Sequence, residues 1–71
     1  MCYNEETEEL RQWLLNDEYF FNTVNNVLNS FEEFKLTVEK FIKVLNTSYD
    51  FLNFKVNEIN FKSLFNYFND Y

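Results

Sequence analysis

The sequence contains no glycine, proline, alanine or histidine. Without histidine, the chain lacks the side chain that most often acts as a general base or a metal ligand near neutral pH. Without glycine, it lacks the residue on which phosphate-binding loops and EF-hand calcium loops depend. These absences predict a protein that is not an enzyme and that uses no metal or other cofactor.

Cysteine and long apolar runs are equally scarce. The single cysteine, Cys2, has no partner in the chain, which excludes an intrachain disulfide and favours a reducing compartment. The opening letters MCYNEE contain no apolar segment of the secretory type. No apolar run approaches the roughly 18 residues of a membrane span. We therefore expect a cytoplasmic protein in the interior of a host cell, with no membrane partner.

Aromatic residues and asparagine are abundant. The 71 residues, enough for one domain, include ten phenylalanines, five tyrosines and one tryptophan. One small core does not readily cover so many rings, so we expect some at the surface, where aromatics favour protein contacts. Twelve asparagines are present, and they are expected to replace glycine at helix ends because asparagine tolerates the left-handed conformation.

Apolar residues recur at helical spacing and predict an all-α fold, a single domain over 1–71 that forms a compact bundle of four to five short helices. The helices are predicted at about 5–15, 17–29, 31–46, 49–58 and 61–69. The first is capped by Asn4 or Thr7, and the last by Asn60. The residues predicted to face the core are Leu10, Trp13, Leu14, Phe20, Phe21, Val24, Val27, Leu28, Phe31, Phe34, Val38, Phe41, Ile42, Leu45, Leu52, Val56, Ile59, Phe61, Leu64, Phe65 and Phe68.

The stretch NNVLNSFEEF, residues 25–34, decides between a bundle and a rod. Ser30-Phe31-Glu32-Glu33 fits a capping box and predicts a new helix start. A 3-4 apolar spacing from Trp13 to Leu45 opposes this interpretation, since an unbroken helix over 17–46 would be about 45 Å long and would need a partner. The break is favoured because asparagine is a weak helix former.

The segment 51–63 permits two structures. Leu52, Phe54 and Val56 alternate with polar residues, as in a strand, so an α+β fold with a hairpin at 51–63 is the alternative. On a single straight helix, Leu52, Val56 and Ile59 would lie on the side opposite to the apolar residues of 61–68. One helix could not direct both sets at the same core, so two helices are favoured. Six aromatics lie off the helical stripes and suit either a partner surface or partial exposure: Tyr19, Tyr49, Phe51, Phe54, Tyr67 and Tyr71.

Negative charge is concentrated in the first half of the chain. The net charge is −6; residues 1–34 hold eight acids and one base (−7), and residues 35–71 hold four acids and five lysines (+1). Acids near helix starts complement the helix dipole, and a negative surface also fits a basic groove on a protein and disfavours direct nucleic-acid binding. The predicted partner-binding residues are Glu5, Glu6, Glu8, Glu9, Asp17, Glu18, Tyr19, Glu32 and Glu33.

The segment EELRQWLLNDEYFFN resembles the start of small acidic all-helical accessory proteins of phages and other mobile elements. Glu58-Ile59-Asn60-Phe61 occupies a place where that group often has a Val-Asn-Trp run, with Phe61 at the tryptophan. The resemblance covers about half of the chain through two short motifs, and residues 25–48 take no part in it. It implies an all-helical accessory protein and names no activity.

Two functions are expected from these features. The first is an inhibitor that presents acids to the basic surface of a host nucleic-acid-handling defence enzyme, of the anti-CRISPR or anti-restriction type. The alternative is a structural or regulatory helical module that forms a homodimer by hydrophobic pairing. The pairing would use Phe31 or Phe34.

Overall fold

Capping side chains determine where helices begin in this chain. The structure is a computed structural model that describes residues 5–70. Its helices are α1 (Glu5–Asn16), α2 (Glu18–Asn25), α3 (Phe31–Ser48) and α4 (Phe61–Asp70), with a 3₁₀ helix at Val56–Glu58 before α4. The described residues contain no strand, so the all-α prediction is confirmed and the hairpin at 51–63 is wrong. Cys2, the predicted cap Asn4 and Tyr71 lie outside the described residues.

The chain stops and restarts its helix at Ser30, as the capping box predicts. Ser30 is extended (φ −144°, ψ 121°) and its Oγ accepts a hydrogen bond from the Glu33 N–H at 3.4 Å. Helix α2 ends at Asn25, before the predicted residue 29, and a turn covers 26–29. No described residue has a positive φ, so the expectation that asparagine adopts the left-handed conformation at helix ends is wrong within 5–70.

Only Asp17 separates α1 from α2. Its backbone is extended (φ −101°, ψ 114°), and its carboxylate accepts hydrogen bonds from the N–H groups of Tyr19 and Phe20 at 2.9 and 3.2 Å. A side chain that satisfies two free N–H groups at a helix start is a strong N-cap. Asp17 therefore fixes the corner between the first two helices.

The core uses one apolar stripe from each helix. Its buried members are Leu10, Leu14, Phe20, Val24, Phe34, Val38, Phe41, Ile42, Leu45, Leu52, Phe54, Ile59, Phe61, Leu64 and Phe68. The ring of Phe20 stacks on Phe41 with centroids 4.1 Å apart, and Phe34 meets Phe65 edge to face at 5.3 Å. The predicted core residues Trp13, Phe21, Val27, Leu28, Phe31 and Phe65 pack against this cluster and are partly buried.

The predicted helix over 49–58 is wrong. Helix α3 continues to Ser48, and a turn, an extended stretch and the short 3₁₀ helix follow. The Asn46 amide donates to the Phe54 carbonyl and accepts from the Phe54 N–H, each at 2.9 Å. This pair of bonds keeps the stretch extended, buries Leu52 and Phe54 and leaves Val56 exposed. Phe54 was not predicted in the core, and Val56 was predicted there wrongly.

Helices α1 and α4 lie side by side with their starts together. The Asn60 side chain caps α4, as predicted, by accepting from the Ser63 N–H at 3.0 Å. The Asn60 N–H in turn donates to Thr7 Oγ1 at 2.9 Å. Thr7 is fully buried within α1 and does not cap it. The Cα radius of gyration is 11.1 Å, the size of a folded chain of this length, about 11 Å. None of the described helices has the length and apolarity required to cross a membrane.

Candidate partner-binding surface

The predicted acidic residues lie at three helix starts. The first turn of α1 contains Glu5, Glu6 and Glu8; that of α2 contains Glu18; and that of α3 contains Glu32 and Glu33. Each position complements the positive end of a helix dipole. Asp50 was also predicted to begin a helix, and this is wrong because it lies in a turn.

The start of α2 lies apart from the starts of α1 and α3. Glu5 and Glu18 flank α1, whose 12 residues span about 18 Å at 1.5 Å per residue. Phe20 of α2 stacks on Phe41, which lies about 15 Å along α3 from Phe31 at the same rise. The acids of α2 are therefore separated from those of α1 and α3, whereas the starts of α1 and α3 both adjoin the start of α4.

Glu8 is paired within the chain. Arg11 Nε donates to Glu8 Oε1 at 3.0 Å, and Arg11 Nη2 forms an ion pair with Glu8 Oε2. The Arg11 guanidinium also lies over the ring of Tyr67, 4.8 Å from its centroid, and its Nη1 donates to the Tyr67 hydroxyl at 3.0 Å. The charge of Glu8 is thus matched inside the fold, which makes it a poor contact for a partner.

Glu6 faces a second carboxylate. Burial raises the pKa of Glu6 above its ordinary value; repulsion by Glu58 and a hydrogen bond with that carboxyl act in the same direction, and Lys55 partly offsets them. Glu6 Oε1 is buried without a hydrogen-bond partner among residues 5–70. Glu6 is therefore a strained acidic contact whose charge is opposed by Glu58 within the fold.

The remaining predicted contacts face water. Glu5, Glu9, Asp17, Glu18, Glu32 and Glu33 are exposed. Tyr19 is 68% exposed, and its ring lies 6.2 Å from that of Phe41. These side chains are accessible to a partner.

Three rings form an exposed cluster at the end of α1, here named the aromatic corner: Trp13, Tyr49 and Phe51. The centroid of Trp13 lies 4.9 Å from Tyr49 and 6.4 Å from Phe51, and the two smaller rings are 5.7 Å apart. Phe51 is 74% exposed and Tyr49 is 40% exposed. The corner exists because α3 ends at Tyr49 and the chain turns back, with the Leu52 N–H donating to the Tyr49 carbonyl at 3.1 Å.

The sequence pattern indicated part of this corner. Tyr49 and Phe51 lie off the helical stripes, as expected of surface aromatics, whereas Trp13 was assigned to the core and is only partly buried. The turn that brings the three rings together depends on Asn46 holding Phe54. The spacing of apolar residues in the sequence does not predict this hydrogen bonding between the Asn46 side chain and the Phe54 backbone.

Three exposed carboxylates border the aromatic corner and are named here the acidic rim: Glu9, Asp17 and Asp50. Glu9 lines a pocket of about 310 Å³ with Gln12, Trp13 and Asn16. The Asp17 N–H donates to the Trp13 carbonyl at 3.3 Å, and Asp50 lies between Tyr49 and Phe51 in the turn. Within residues 5–70, none of the three forms an ion pair.

The start of α4 carries two lysines and the carboxylate of Glu58. A pocket of about 510 Å³ is lined there by Lys35 and Lys62 among other residues. Lys35 Nζ lies 5.7 Å from the centroid of Phe61, and Lys62 Nζ lies 5.5 Å from that of Phe31. In the described part of the chain, no cluster of cysteine, aspartate or glutamate has the composition to hold a metal ion.

The chain shows no significant match to a protein-family model, to a curated protein or to a solved structure.

Proposed function

We propose that the protein is a small acidic inhibitor, encoded by a phage or another mobile element, that binds the basic surface of a host nucleic-acid-handling defence enzyme. An anti-CRISPR or anti-restriction role is the concrete form of the proposal. The observation that supports it best is the aromatic corner with its acidic rim. The target is contacted as a protein, with no nucleic acid in the interface.

The corner has the composition of an interface centre. Binding energy at protein interfaces is concentrated in a few aromatic or arginine anchors that become dry on binding. Phe51 is the most exposed large apolar side chain in the described chain, and Trp13 and Tyr49 support it from one side. Such a cluster supplies affinity through burial, at about 25 cal/mol per Å² of apolar surface.

The acids supply selectivity for a basic target. Exposed carboxylates near the rings attract lysine and arginine and repel nucleic acid and other acidic surfaces. The more distant groups at the starts of α1 and α3 add to the field of a chain whose net charge is −6. Their contribution is to the rate of association, which long-range steering raises.

The test uses an enzyme captured from the host with the tagged protein, purified and assayed for cleavage of its nucleic-acid substrate. The wild-type protein should inhibit cleavage, and Phe51→Ser should weaken binding at least tenfold because its ring leaves the interface. Leu36→Ser is the matched control: Leu36 is 61% exposed on α3, lies outside the corner and should leave binding unchanged.

Salt provides the second part of the test. Affinity should fall at least tenfold between 50 and 500 mM salt, because screening shortens the reach of exposed charges. Binding that is insensitive to salt and unchanged by Phe51→Ser would contradict the proposal, as would an enzyme that is bound without loss of cleavage.

A homodimerising structural or regulatory module is the second candidate, supported by exposed apolar residues on α3. Leu36 and Val44 are 61% and 48% exposed. Phe31 and Phe34, the residues expected from the sequence to pair across the dimer, are used inside the fold. Phe34 is fully buried, and the ring centroid of Phe31 lies 5.3 Å from that of Phe65. Sedimentation should then show a dimer that Leu36→Glu dissociates while the helices remain. A wild-type monomer at high micromolar concentration would exclude self-pairing.

A further inference from the structure

We propose that the pocket beside Trp13 receives an arginine side chain of the partner. The inference rests on the proposed function and names the chemistry of its contact. The pocket is lined by Glu9, Gln12, Trp13 and Asn16, on one face of α1 at the i, i+3, i+4 and i+7 spacing. Its volume is about 310 Å³.

The lining matches the chemistry of a guanidinium group. Guanidinium is a planar cation with five N–H donors and no acceptor, so it needs several oxygens in reach and a flat surface to stack on. Glu9 supplies a carboxylate that can accept two parallel hydrogen bonds. Trp13 supplies the aromatic ring type with the strongest attraction for cations.

The amide side chains complete the set of acceptors. Gln12 Nε2 donates to Glu8 Oε2 at 3.1 Å, so the amide nitrogen is already used and its oxygen is left to accept. Asn16, at the last position of α1, offers a second amide oxygen at the other end of the pocket. A lysine ammonium is compact and strongly hydrated, and it uses the flat ring and the spread of acceptors less well.

The chain uses the same combination internally. Arg11, its one arginine, is held by the Glu8 carboxylate and lies 4.8 Å from the Tyr67 ring centroid. That pairing keeps Arg11 on a different face of α1, so the chain's own guanidinium is committed elsewhere. The carboxylate of Glu9 remains exposed and free of ion pairs within residues 5–70.

Trp13 reports directly on the pocket because it is the only tryptophan. The purified 71-residue protein is titrated at low salt with acetyl-arginine amide, acetyl-lysine amide and acetyl-citrulline amide, and Trp13 fluorescence is followed. Citrulline has nearly the shape of arginine without its charge. We expect a saturable change with the arginine compound, at least tenfold weaker binding of citrulline and at least threefold weaker binding of lysine.

Two variants locate the binding. Glu9→Gln should weaken arginine binding at least fivefold, since the amide of glutamine replaces the charged acceptor. Glu39→Gln removes an equal charge on α3 and should have no effect beyond twofold. Far-ultraviolet circular dichroism checks that both variants retain the wild-type helix content.

The proposal is overturned if arginine and citrulline bind equally, if nothing binds at millimolar concentration, or if Glu9→Gln binds as the wild type does. The experiments distinguish a failure of the arginine pocket from a failure of the proposed inhibitor function. Loss of enzyme inhibition in Phe51→Ser, together with equal binding of arginine and citrulline, rejects the arginine pocket and keeps the inhibitor. Selective arginine binding with full inhibition by Phe51→Ser rejects the role of the aromatic corner in the inhibitor and keeps the pocket.

Discussion

At the residue scale, Glu6 and Thr7 are neighbours on α1 with opposite effects on stability. Thr7 is buried and satisfies the Asn60 N–H, which fastens the start of α4 to α1. Glu6 presents a partly buried carboxylate to Glu58, and its pKa is raised by burial first and by Glu58 second. Thr7 thus stabilises the contact between α1 and the start of α4. Glu6 destabilises the neighbouring contact with Glu58 at neutral pH.

Replacing Glu6 should stabilise the fold at neutral pH. A carboxyl whose folded-state pKa is raised destabilises the native state above that pKa, and the penalty disappears as pH falls through it to below the ordinary value of 4.5. Glu6→Gln should therefore raise the free energy of unfolding at pH 7 by about 0.2–0.5 kcal/mol, the scale of a like-charge contact. Urea unfolding at pH 7 and at pH 3.5 measures the difference, which should vanish at the lower pH.

Glu5→Gln is the control for this prediction. Glu5 is exposed in the same first turn, where its charge favours the helix dipole, so its removal should leave stability unchanged or slightly lower it at pH 7. An effect of Glu6→Gln that is destabilising, or that is equal at both pH values, would refute the account of the Glu6–Glu58 contact.

Thr7→Val should destabilise the protein by about 1–3 kcal/mol. The substitution keeps the shape of the side chain but removes the oxygen that accepts the hydrogen bond from the Asn60 N–H. Because the site is buried, that N–H then has neither a protein acceptor nor water, which is unfavourable. Thermal unfolding followed by circular dichroism measures the loss. Thr7→Ser retains the hydroxyl and should recover most of it; an equal loss in both variants would point to packing instead of the hydrogen bond.

At the element scale, the helices could be predicted where local signals decide them. The break at Ser30 follows from a capping residue, and the stripes of Phe34 and Leu64 follow from helical spacing. The segment after α3 could not be predicted, because its shape depends on the Asn46 side chain bonding Phe54 eight positions later. The same contact closes the loop that contains the turn of the aromatic corner, so helical spacing could not predict that part of the candidate site.

Removing this contact should loosen one segment and not the whole fold. Asn46→Ala eliminates both hydrogen bonds to Phe54, and we expect a loss of about 1–3 kcal/mol from the backbone groups left unpaired. Amide hydrogen exchange should accelerate at 50–56 more than in α1 or α4. Asn53→Ala, at an exposed neighbouring position, serves as the control and should change neither; uniform acceleration across the helices would contradict a local role.

At the scale of the whole molecule, the fold separates charges that the sequence places close together. The acids at the starts of α1 and α2 are about 18 Å apart along one helix, and Lys35 and Lys62 lie over Phe61 and Phe31 at the start of α4, beside Glu58. The counts along the chain give a net charge of −7 for residues 1–34. They could not predict its distribution in space, because that depends on how the helices pack.

Lowering the pH should promote association. The sequence pI is about 4.4, so near that pH the net charge vanishes and the exposed rings lose the repulsion that keeps copies apart. Light scattering should rise between pH 7 and pH 4.5, and Phe51→Ser should reduce the rise by more than half because the most exposed ring is gone. Equal scattering of the two proteins would exclude the aromatic corner as the point of contact.

The placement of the lysines has a practical consequence for anyone who attaches this protein to a solid support. All five lysines lie between Lys35 and Lys62, and none of them lines the pocket beside Trp13. Coupling to a sensor chip through lysine side chains therefore leaves the lining of that pocket and the Tyr49–Phe51 turn unmodified. A captured enzyme can be measured on such a chip with the proposed contact surface intact.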